Sequence, residues 1–334
     1  MKLNEVNWGI IGCGNVTEKK SGPAFNKVEY SKLVAVMSRN VEKAADYALR
    51  HGVPKYYSDA GQLINDPEVN AVYIATPPDT HAWYAIEAML AGKPVYVEKP
   101  MARTYFECKE MIRVSKETGI PLFVAYYRRT LPGFLKVKEL VENEIIGIPL
   151  TVNIRLHKAY GEIDKHKEKQ TWHINHKIAG AGYFYDLGSH QFDFLDFVFG
   201  PINEVKGVAQ NRAGFYSAED TVSASYIFDS GVTGTGSWSF VVAKENEEDT
   251  IEITGTKGKI IFSCFEHGDI KLIAPQGTVS FSFQNPENIS HLLIEQVVQD
   301  LRGSGKCVST KYSAARTNYL LEEIVKKYYK ELEG

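Results

Sequence analysis

The chain has 334 residues, which is long enough for about two domains. Its 44% hydrophobic and 24% charged residues are ordinary values for a soluble globular protein. Because 38 basic residues are balanced by 41 acidic ones, the net charge of −3 argues against nucleic acid or an anionic membrane as the main partner.

Four cysteines lie far apart, at positions 13, 108, 264 and 307, and none forms a CxxC pair. This usage excludes a disulfide scaffold and a thiolate zinc site, and it favours a reducing compartment. The N-terminal sequence lacks the apolar stretch of a signal peptide, and no apolar run approaches the ~20 residues that span a bilayer. We therefore expect a folded cytoplasmic protein that has no membrane partner.

Short apolar runs alternate with helical patterns over residues 1–126. In the stretch 79–91, Ala82, Ile86 and Met89 recur at helical spacing. The alternation predicts βαβ units and a doubly wound parallel sheet. The strand-like runs are 7–11, 33–37, 55–57, 71–75, 95–98 and 122–125, and the helical stretches lie near 41–51, 58–65, 79–91 and 104–118.

After residue 126 the pattern changes to strands that follow one another directly. This half predicts an α+β domain with a large, mostly antiparallel sheet and helices on one face. We therefore divide the chain into domains 1–126 and 127–334. Helical stretches are expected at 134–146, from Asp186 onward, at 289–302 and at 313–332, and strands at 151–158, 202–212, 219–228, 231–242, 249–255, 258–263, 268–274 and 278–283.

A glycine-rich turn ends the first predicted strand. Gly12 and Gly14 match the first two glycines of the dinucleotide fingerprint, whereas Thr17 stands at the third. Such a pair also occurs in ordinary tight turns, but its place in the first strand-turn-helix unit favours dinucleotide binding. We assign the cofactor's pyrophosphate to Gly12, Cys13, Gly14, Asn15 and Val16.

The end of the second strand is expected to contact the adenosine ribose. NAD sites place an acidic side chain there, but this strand ends in Ser38 and Arg39. Arg39 can pair with a 2′-phosphate and Ser38 can donate a hydrogen bond to it, which favours NADP(H) and leaves NAD(H) open. The alternative is an Arg39 that stacks on adenine and binds no phosphate.

Three further segments carry a resemblance. Glu98-Lys99-Pro100 follows the fifth strand, and Ala75-Thr76-Pro77-Pro78-Asp79-Thr80-His81 follows the fourth. In the second half, Gly180-Ala181-Gly182 leads into Tyr183-Phe184-Tyr185-Asp186-Leu187-Gly188-Ser189-His190. Together they resemble the glucose–fructose oxidoreductase / inositol dehydrogenase (Gfo/Idh/MocA) family over nearly the whole chain.

The resemblance implies a Rossmann domain followed by a domain with an open sheet. It also implies hydride transfer between NAD(P) and a hydroxyl or carbonyl carbon of a sugar, inositol or related polyol. Homodimers or homotetramers built through the open sheets are expected. Because too few helices follow the strands to cover both sheet faces, we also expect an uncovered apolar face that forms the interface. Thr17, Ala181 and the segment 126–129 depart from the family pattern, and the last departure leaves the substrate open.

Lys99 lies at the carboxyl end of a parallel strand, where open α/β sheets bind ligands. Its ammonium group can hold the reacting oxygen and lower the pKa of the alcohol. Asp186 and His190 are four residues apart, so they share one helix face. We expect His190 to transfer the proton and Asp186 to hold substrate or histidine. The alternatives are that Lys99 is a solvated surface lysine, that Asp186 is only an acid in the first turn of a helix, and that His190 is a packed core histidine.

The catalytic residues come from both halves, so we expect the site in the cleft between the domains, beside the nicotinamide. The resemblance adds further contacts with the cofactor and the substrate. The alternative for these residues is ordinary packing, and for His81 it is capping the helix that begins there. The added cofactor contacts are Thr76, Pro77, His81, Glu98, Lys99 and Arg129, and the substrate contacts are Lys99, Tyr127, Trp172, His173, Asp186 and His190.

Five of nine histidines lie between residues 157 and 190, but their spacing fits no zinc pattern, so we predict no metal. The charged stretch 162–169 is expected to be a solvated loop, or else to attract an anionic substrate. Two other functions stay open: a glycoside-modifying enzyme that recycles tightly bound NAD(H), and a non-enzymatic dinucleotide sensor.

Overall fold

The computed structural model describes residues 2–161, 166, 171–266 and 268–333. The chain forms two units. The first comprises Met1–Thr130 and Asn285–Ala315, and the second comprises Leu131–Gln284 and Arg316–Gly334. The division into functional domains after residue 126 stays a prediction.

Six parallel strands form the sheet of the first unit, in the order β3-β2-β1-β4-β5-β6. This is the doubly wound order, and the strand order reverses between β1 and β4. The strands are β1 (Val6–Ile11), β2 (Ser31–Met37), β3 (Lys55–Tyr57), β4 (Ala71–Ile74), β5 (Val95–Val97) and β6 (Leu122–Val124). The helices are α1 (Asn15–Lys19), α2 (Val41–His51), α3 (Ala60–Asn65), α4 (His81–Leu90) and α5 (Tyr105–Thr118).

The central strands of this sheet are apolar because both of their faces are covered. Trp8 and Ile10 of β1 pack into one core cluster, whereas Ile11 packs into the other. Capping groups set the helix bounds. Thr104 and Glu107 form a reciprocal capping box that starts α5, and Gly119 ends α5 in the left-handed conformation.

The second unit is built on an eight-stranded sheet in the order β14-β13-β12-β11-β7-β10-β9-β8. β10 pairs with β7 in parallel, and the other six neighbouring pairs are antiparallel. The elements are α6 (Pro132–Glu142), β7 (Pro149–Ala159), α7 (His176–Ala179), α8 (Tyr183–Phe199), β8 (Ile202–Gln210), β9 (Thr221–Phe228), β10 (Thr233–Val242), β11 (Glu248–Gly255), β12 (Lys259–Phe262), β13 (Ile270–Ala274) and β14 (Gly277–Phe281).

Helix α8 contributes aromatic side chains to the core of the second unit. Phe184 lies edge-on to Trp238 at 4.9 Å between ring centroids, and Phe194 lies 5.7 Å from Phe262. Burial alternates along β9 and β10, so one sheet face is buried and the other is exposed or half-buried. The outward side chains include Ser, Thr and Asn, with Thr235 bonded to Asn153. The uncovered apolar face that the sequence predicted is therefore largely polar.

Two helices close the chain: α9 (His291–Arg302) and α10 (Lys311–Glu333). Leu293, Val297 and Leu301 of α9 pack into the same core cluster as Trp8 and Ile10. The chain thus returns to the first unit after completing the large sheet. Within the part of the chain that the structure describes, no helix is both long and apolar enough to cross a membrane.

Candidate functional site

The glycine turn after β1 has two glycines with different structural roles. Gly12 has φ +107°, and a Cβ placed on it would lie 2.8 Å from the backbone carbonyl atoms of Ala75. Only glycine fits there, because both the dihedral and the neighbouring strand exclude a side chain. Gly14 has φ −100°, and a Cβ on it would meet only the Ala75 oxygen, at 3.9 Å. Gly14 therefore leaves its space open to a ligand.

Thr17 takes the place of the third glycine without disturbing the turn. Its side chain is wholly buried, and its hydroxyl donates to the Gly14 carbonyl at 2.8 Å. The Tyr47 hydroxyl on α2 donates to the Thr17 carbonyl at 2.9 Å. The departure from the fingerprint is thus accommodated by a local hydrogen bond.

The other residues predicted to contact the pyrophosphate and ribose lie at the ends of β1 and β2. The buried Cys13 thiol lies 3.6 Å from the Met37 carbonyl, and burial raises the pKa of Cys13 to about 11. Asn15 is exposed and Val16 half-buried at the start of α1. Ser38 is half-buried, whereas Arg39 is exposed. The Cys13 thiol therefore stays protonated, and it packs into the same core cluster as Trp8 and Ile10.

A buried histidine connects two loops at the same edge of the sheet. The ring nitrogens of His81 lie 2.8 Å from the Thr76 carbonyl and 3.0 Å from the Pro100 carbonyl. Burial lowers the pKa of His81. His81 therefore ties the loop after β4, with Thr76 and Pro77, to the loop after β5, with Glu98 and Lys99.

Glu98 is buried at the end of β5 and held by a tyrosine that sequence reasoning missed. The Tyr73 hydroxyl donates to Glu98 Oε1 at 2.5 Å, and the Lys99 backbone N–H donates to Oε2 at 3.2 Å. Burial raises the pKa of Glu98. Lys99 is half-buried and joined to Pro100 by a cis peptide bond. The sequence contains one indication of this role, because Tyr73 carries a hydroxyl group within the otherwise apolar strand β4.

Two buried arginines follow β6 in the 3₁₀ turn Tyr127–Thr130. The Arg129 guanidinium donates to the Val308 carbonyl at 3.2 Å. The neighbouring Arg128 donates to the Tyr127 hydroxyl at 3.1 Å. Arg129 thus makes a hydrogen bond within the first unit, and its contact with a cofactor stays a prediction.

In the second unit, α8 carries Asp186 in its first turn and His190 one turn later. His190 is only 5% exposed, and its ring lies edge-on to Phe265 at 5.8 Å between centroids. The Ser189 hydroxyl donates to the Asp186 carbonyl. Phe265 was not found from the sequence, because it belongs to no motif and reaches His190 only through the fold.

The predicted substrate residues Trp172 and His173 lie next to the start of α8. Their rings stack at 3.7 Å between centroids. His173 in turn stacks at 6.2 Å on Tyr183, the first residue of α8. The second unit thus brings these aromatic side chains together with the helix that carries Asp186 and His190.

The structure joins the predicted residues into two groups, one in each unit. The glycine turn and the loops after β4 and β5 form the first group, and α8 with Trp172 and His173 forms the second. Lys99 belongs to the first unit, whereas Asp186 and His190 belong to the second. The shared cleft therefore stays a prediction.

Among residues 2–161, 166, 171–266 and 268–333, no group of three or more His, Cys, Asp or Glu side chains is arranged to hold a metal ion. The Nε2 atom of His157 lies 3.1 Å from the Ser237 hydroxyl. The charged stretch 162–169 lies outside the described residues except for His166.

Comparison with known proteins decides the family. Residues 6–126 match the oxidoreductase family with an NAD-binding Rossmann fold, and residues 134–261 match the Gfo/Idh/MocA C-terminal domain. The chain belongs to the Gfo/Idh/MocA family. The predicted family and fold class are confirmed, and the protein is an oxidoreductase with an NAD(P)-binding Rossmann domain.

Members of the Gfo/Idh/MocA family match nearly all of this chain. Oxidoreductase P35 of Formosa agariphila is 38% identical over 298 residues, which is 88% of this chain and 90% of that protein. The 1,5-anhydro-D-fructose reductase of Ensifer adhaerens is 28% identical over 86% of this chain and 83% of its own. A levoglucosan dehydrogenase solved with NADH has a TM-score of 0.88 at 24% identity, with 98% of each chain covered, and shows the same fold.

Proposed function

We propose that this oxidoreductase transfers a hydride between a nicotinamide and a hydroxyl or carbonyl carbon of a sugar, inositol or related polyol. The observation that carries the proposal is the Glu98–Lys99 loop, tied through His81 to the loop after β4 at the carboxyl edge of the sheet. Two of the similar proteins are named for sugar substrates, 1,5-anhydro-D-fructose and levoglucosan, which supports a sugar-like substrate here.

The residues of the first unit fit a dinucleotide. Gly14 leaves its Cα open to a close approach, and Gly12 makes the turn that places it there. Gly12 to Val16 would hold the pyrophosphate, while Ser38 and Arg39 would hold the ribose. When bound, the nicotinamide supplies or accepts the hydride.

The protein's own groups handle the oxygen and its proton. During oxidation, Lys99 would hold the alcohol oxygen with its ammonium group and stabilise the developing negative charge. His190 would accept the hydroxyl proton and return it in the reverse direction. Asp186 would bind a substrate hydroxyl or orient His190. Trp172, His173 and Tyr127 would line the substrate.

A substrate screen tests the proposal. Sugars, inositols and keto-sugars are offered with NADP(H) and NAD(H), and turnover is read from the nicotinamide absorbance. The expected result is a change that depends on both substrate and cofactor. Dinucleotide binding without turnover of any of them would instead indicate a sensor, and retained NAD(H) with chemical change but no net oxidation would indicate glycoside modification.

We infer that the enzyme prefers NADP(H), since Arg39 offers an exposed guanidinium at the end of β2. Replacing Arg39 by Asp removes a charge-assisted pair and is expected to weaken NADP(H) by about tenfold to a hundredfold. Fluorescence titration of both dinucleotides measures the effect. Lys32→Asp makes the same charge change at the opposite end of β2 and is expected to leave both affinities unchanged. Tighter NAD(H) than NADP(H) in the wild type would refute the preference.

We also infer a homodimer or homotetramer that associates through the open face of the eight-stranded sheet. Val208 on β8 is 64% exposed on that face, beside polar side chains, and a second copy packed on the face would bury it. Sedimentation at micromolar concentration is expected to give a dimer or tetramer, and Val208→Lys to shift it toward monomer. Leu49→Lys, on α2 of the first unit at 84% exposure, is the control. A wild-type protein that sediments only as monomer would contradict the inference.

A further inference from the structure

A buried carboxylate lies against the start of α8. Glu219 precedes β9 and is wholly buried. Both of its carboxylate oxygens lie 3.0 Å from the backbone N–H of Gly182, which is the N-cap residue of α8. The Tyr329 hydroxyl on α10 donates to Oε2 of the same carboxylate. Three separate segments of the second unit therefore meet at one acid.

The glycine run before α8 is shaped to receive this acid. A Cβ on Gly182 would lie 2.8 Å from the Glu219 carbonyl oxygen and 3.1 Å from Oε2. Any larger residue would therefore push the carboxylate away from the helix start. The positive end of the helix dipole also favours a negative charge at this place. Gly182 and Glu219 thus form one built contact, although 37 positions separate them in the chain.

The residues that depend on this helix start are those assigned to the chemistry. Asp186 lies in the first turn of α8, and His190 follows one turn later. Tyr183, directly after Gly182, stacks on His173 at 6.2 Å between centroids. A shift of the helix start would therefore move Asp186 and His190 together with the stacked rings of Tyr183 and His173.

We propose that Glu219 is a positioning residue for the proposed reaction: its carboxylate, held by Tyr329, anchors the start of α8 and thereby sets the placement of Asp186 and His190. This inference rests on the proposed function. Glu219 acts on these two residues through the Gly182 N–H at the start of their helix.

The charge of Glu219 determines how well it can hold the helix. Burial raises the pKa of Glu219 to about 7, and the hydrogen bond from Tyr329 opposes that rise, whereas Asp220 adds to it. The Tyr328 side chain also interacts electrostatically with the carboxylate. The centroid of the His176 ring lies 5.1 Å from that of the Tyr329 ring. Protonation of Oε1 removes one of the two oxygens that accept from Gly182, and it removes the charge that strengthens the bonds to Oε2. The hold is therefore strongest above about pH 7 and weakens as the pH falls.

A measurement independent of turnover tests the anchor itself. The chain has five Ala–Gly pairs, so labelling alanine carbonyls with ¹³C and glycine nitrogens with ¹⁵N leaves five amide signals, of which Gly182 is one. In the wild type the Gly182 signal is expected to titrate with a midpoint near 7, and in Glu219→Gln it is expected not to titrate. The His190 ring signal, assigned through His190→Ala, is expected to differ between these proteins at pH 8. An unchanged His190 signal would overturn the inference even if no substrate had been found.

The pH profile of kcat separates positioning from a merely structural role. Glu219→Gln keeps the volume and one acceptor, and it is expected to lower kcat about tenfold to a hundredfold above pH 7 and to remove one acid limb. Tyr329→Phe removes a donor to the carboxylate, so the same limb is expected to move to higher pH by about one unit. Tyr328→Phe, whose hydroxyl donates to the Ser217 carbonyl, is expected to leave the limb in place.

Dinucleotide affinity is expected to stay within a few-fold in all three variants, because the binding residues belong to the first unit. Since the pKa of Glu219 is raised on folding, its ionisation opposes folding above about pH 7, and Glu219→Gln is expected to melt no earlier than the wild type at pH 8. An equal loss of kcat at every pH, or an unshifted limb in Tyr329→Phe, would overturn the inference. Absence of wild-type turnover would count against the proposed function alone.

Discussion

Replacing Lys99 by Met, or His190 by Ala, is expected to lower kcat by about a hundredfold to ten-thousandfold. Lys99→Met keeps the length of the side chain but removes the charge that would stabilise the alcohol oxygen. His190→Ala removes the group that would carry the proton. The measurement is kcat on the substrate found by the screen, together with the affinity of each variant for the dinucleotide.

Cofactor affinity is expected to stay within a few-fold of the wild type, because neither change touches the glycine turn and Lys99 supplies only one of the predicted cofactor contacts. Lys109→Met on the exposed side of α5 and His291→Ala at the start of α9 are matched controls and are expected to keep wild-type kcat. Near-wild-type kcat in both Lys99→Met and His190→Ala would show that segments 98–100 and 186–190 are structural and that the chemistry lies elsewhere.

Local patterns predicted the elements well because each signal is contained in a few neighbouring residues. The apolar run 7–11 became Val6–Ile11, and the helical stretch 41–51 became Val41–His51. Helix α8 begins at Tyr183 rather than near Asp186, since Gly182 serves as its N-cap. Helix α6 ends at Glu142, before the predicted 146, because Glu144 adopts a left-handed conformation.

Features that depend on distant packing could not be predicted from such patterns. The sequence of α9 shows an apolar face, but only the fold reveals that Leu293 and Val297 pack with Trp8 of β1. The open sheet face was expected to be apolar because too few helices follow the strands. Its polarity comes instead from Ser and Thr at alternate positions, such as Thr235 on β10.

The candidate site shows the same division between local and distant signals. The cofactor roles predicted for Gly12 and Gly14 follow from their spacing and stay predictions, whereas the structure shows that Ala75 approaches Gly12 closely and leaves space at Gly14. Tyr73 and Glu219 could not be found in this way, because each acts on a residue far along the chain. Tyr73 holds Glu98 from a neighbouring strand, and Glu219 holds the start of α8 from beyond β8.

The two glycines of the turn should respond differently to the same substitution. Gly14→Ala is expected to weaken both dinucleotides by about tenfold to a hundredfold while the melting temperature changes little. The backbone at Gly14 is compatible with alanine, and the added methyl group would lie in open space, 3.9 Å from the Ala75 oxygen. That space is where the pyrophosphate is proposed to lie, so the methyl group would exclude the ligand without disturbing the fold.

Gly12→Ala is expected to lower the melting temperature by several degrees, since its Cβ would lie 2.8 Å from the Ala75 carbonyl atoms at φ +107°. Gly92→Ala is the matched control for the dihedral alone, because Gly92 has φ +76° and no atom within 4 Å of its Cβ position. The difference between these two variants measures the close approach of β1 and β4. If Gly14→Ala kept full dinucleotide affinity, the pyrophosphate could not lie against Gly14. The cofactor would then have to bind in another orientation at the point where the strand order reverses between β1 and β4.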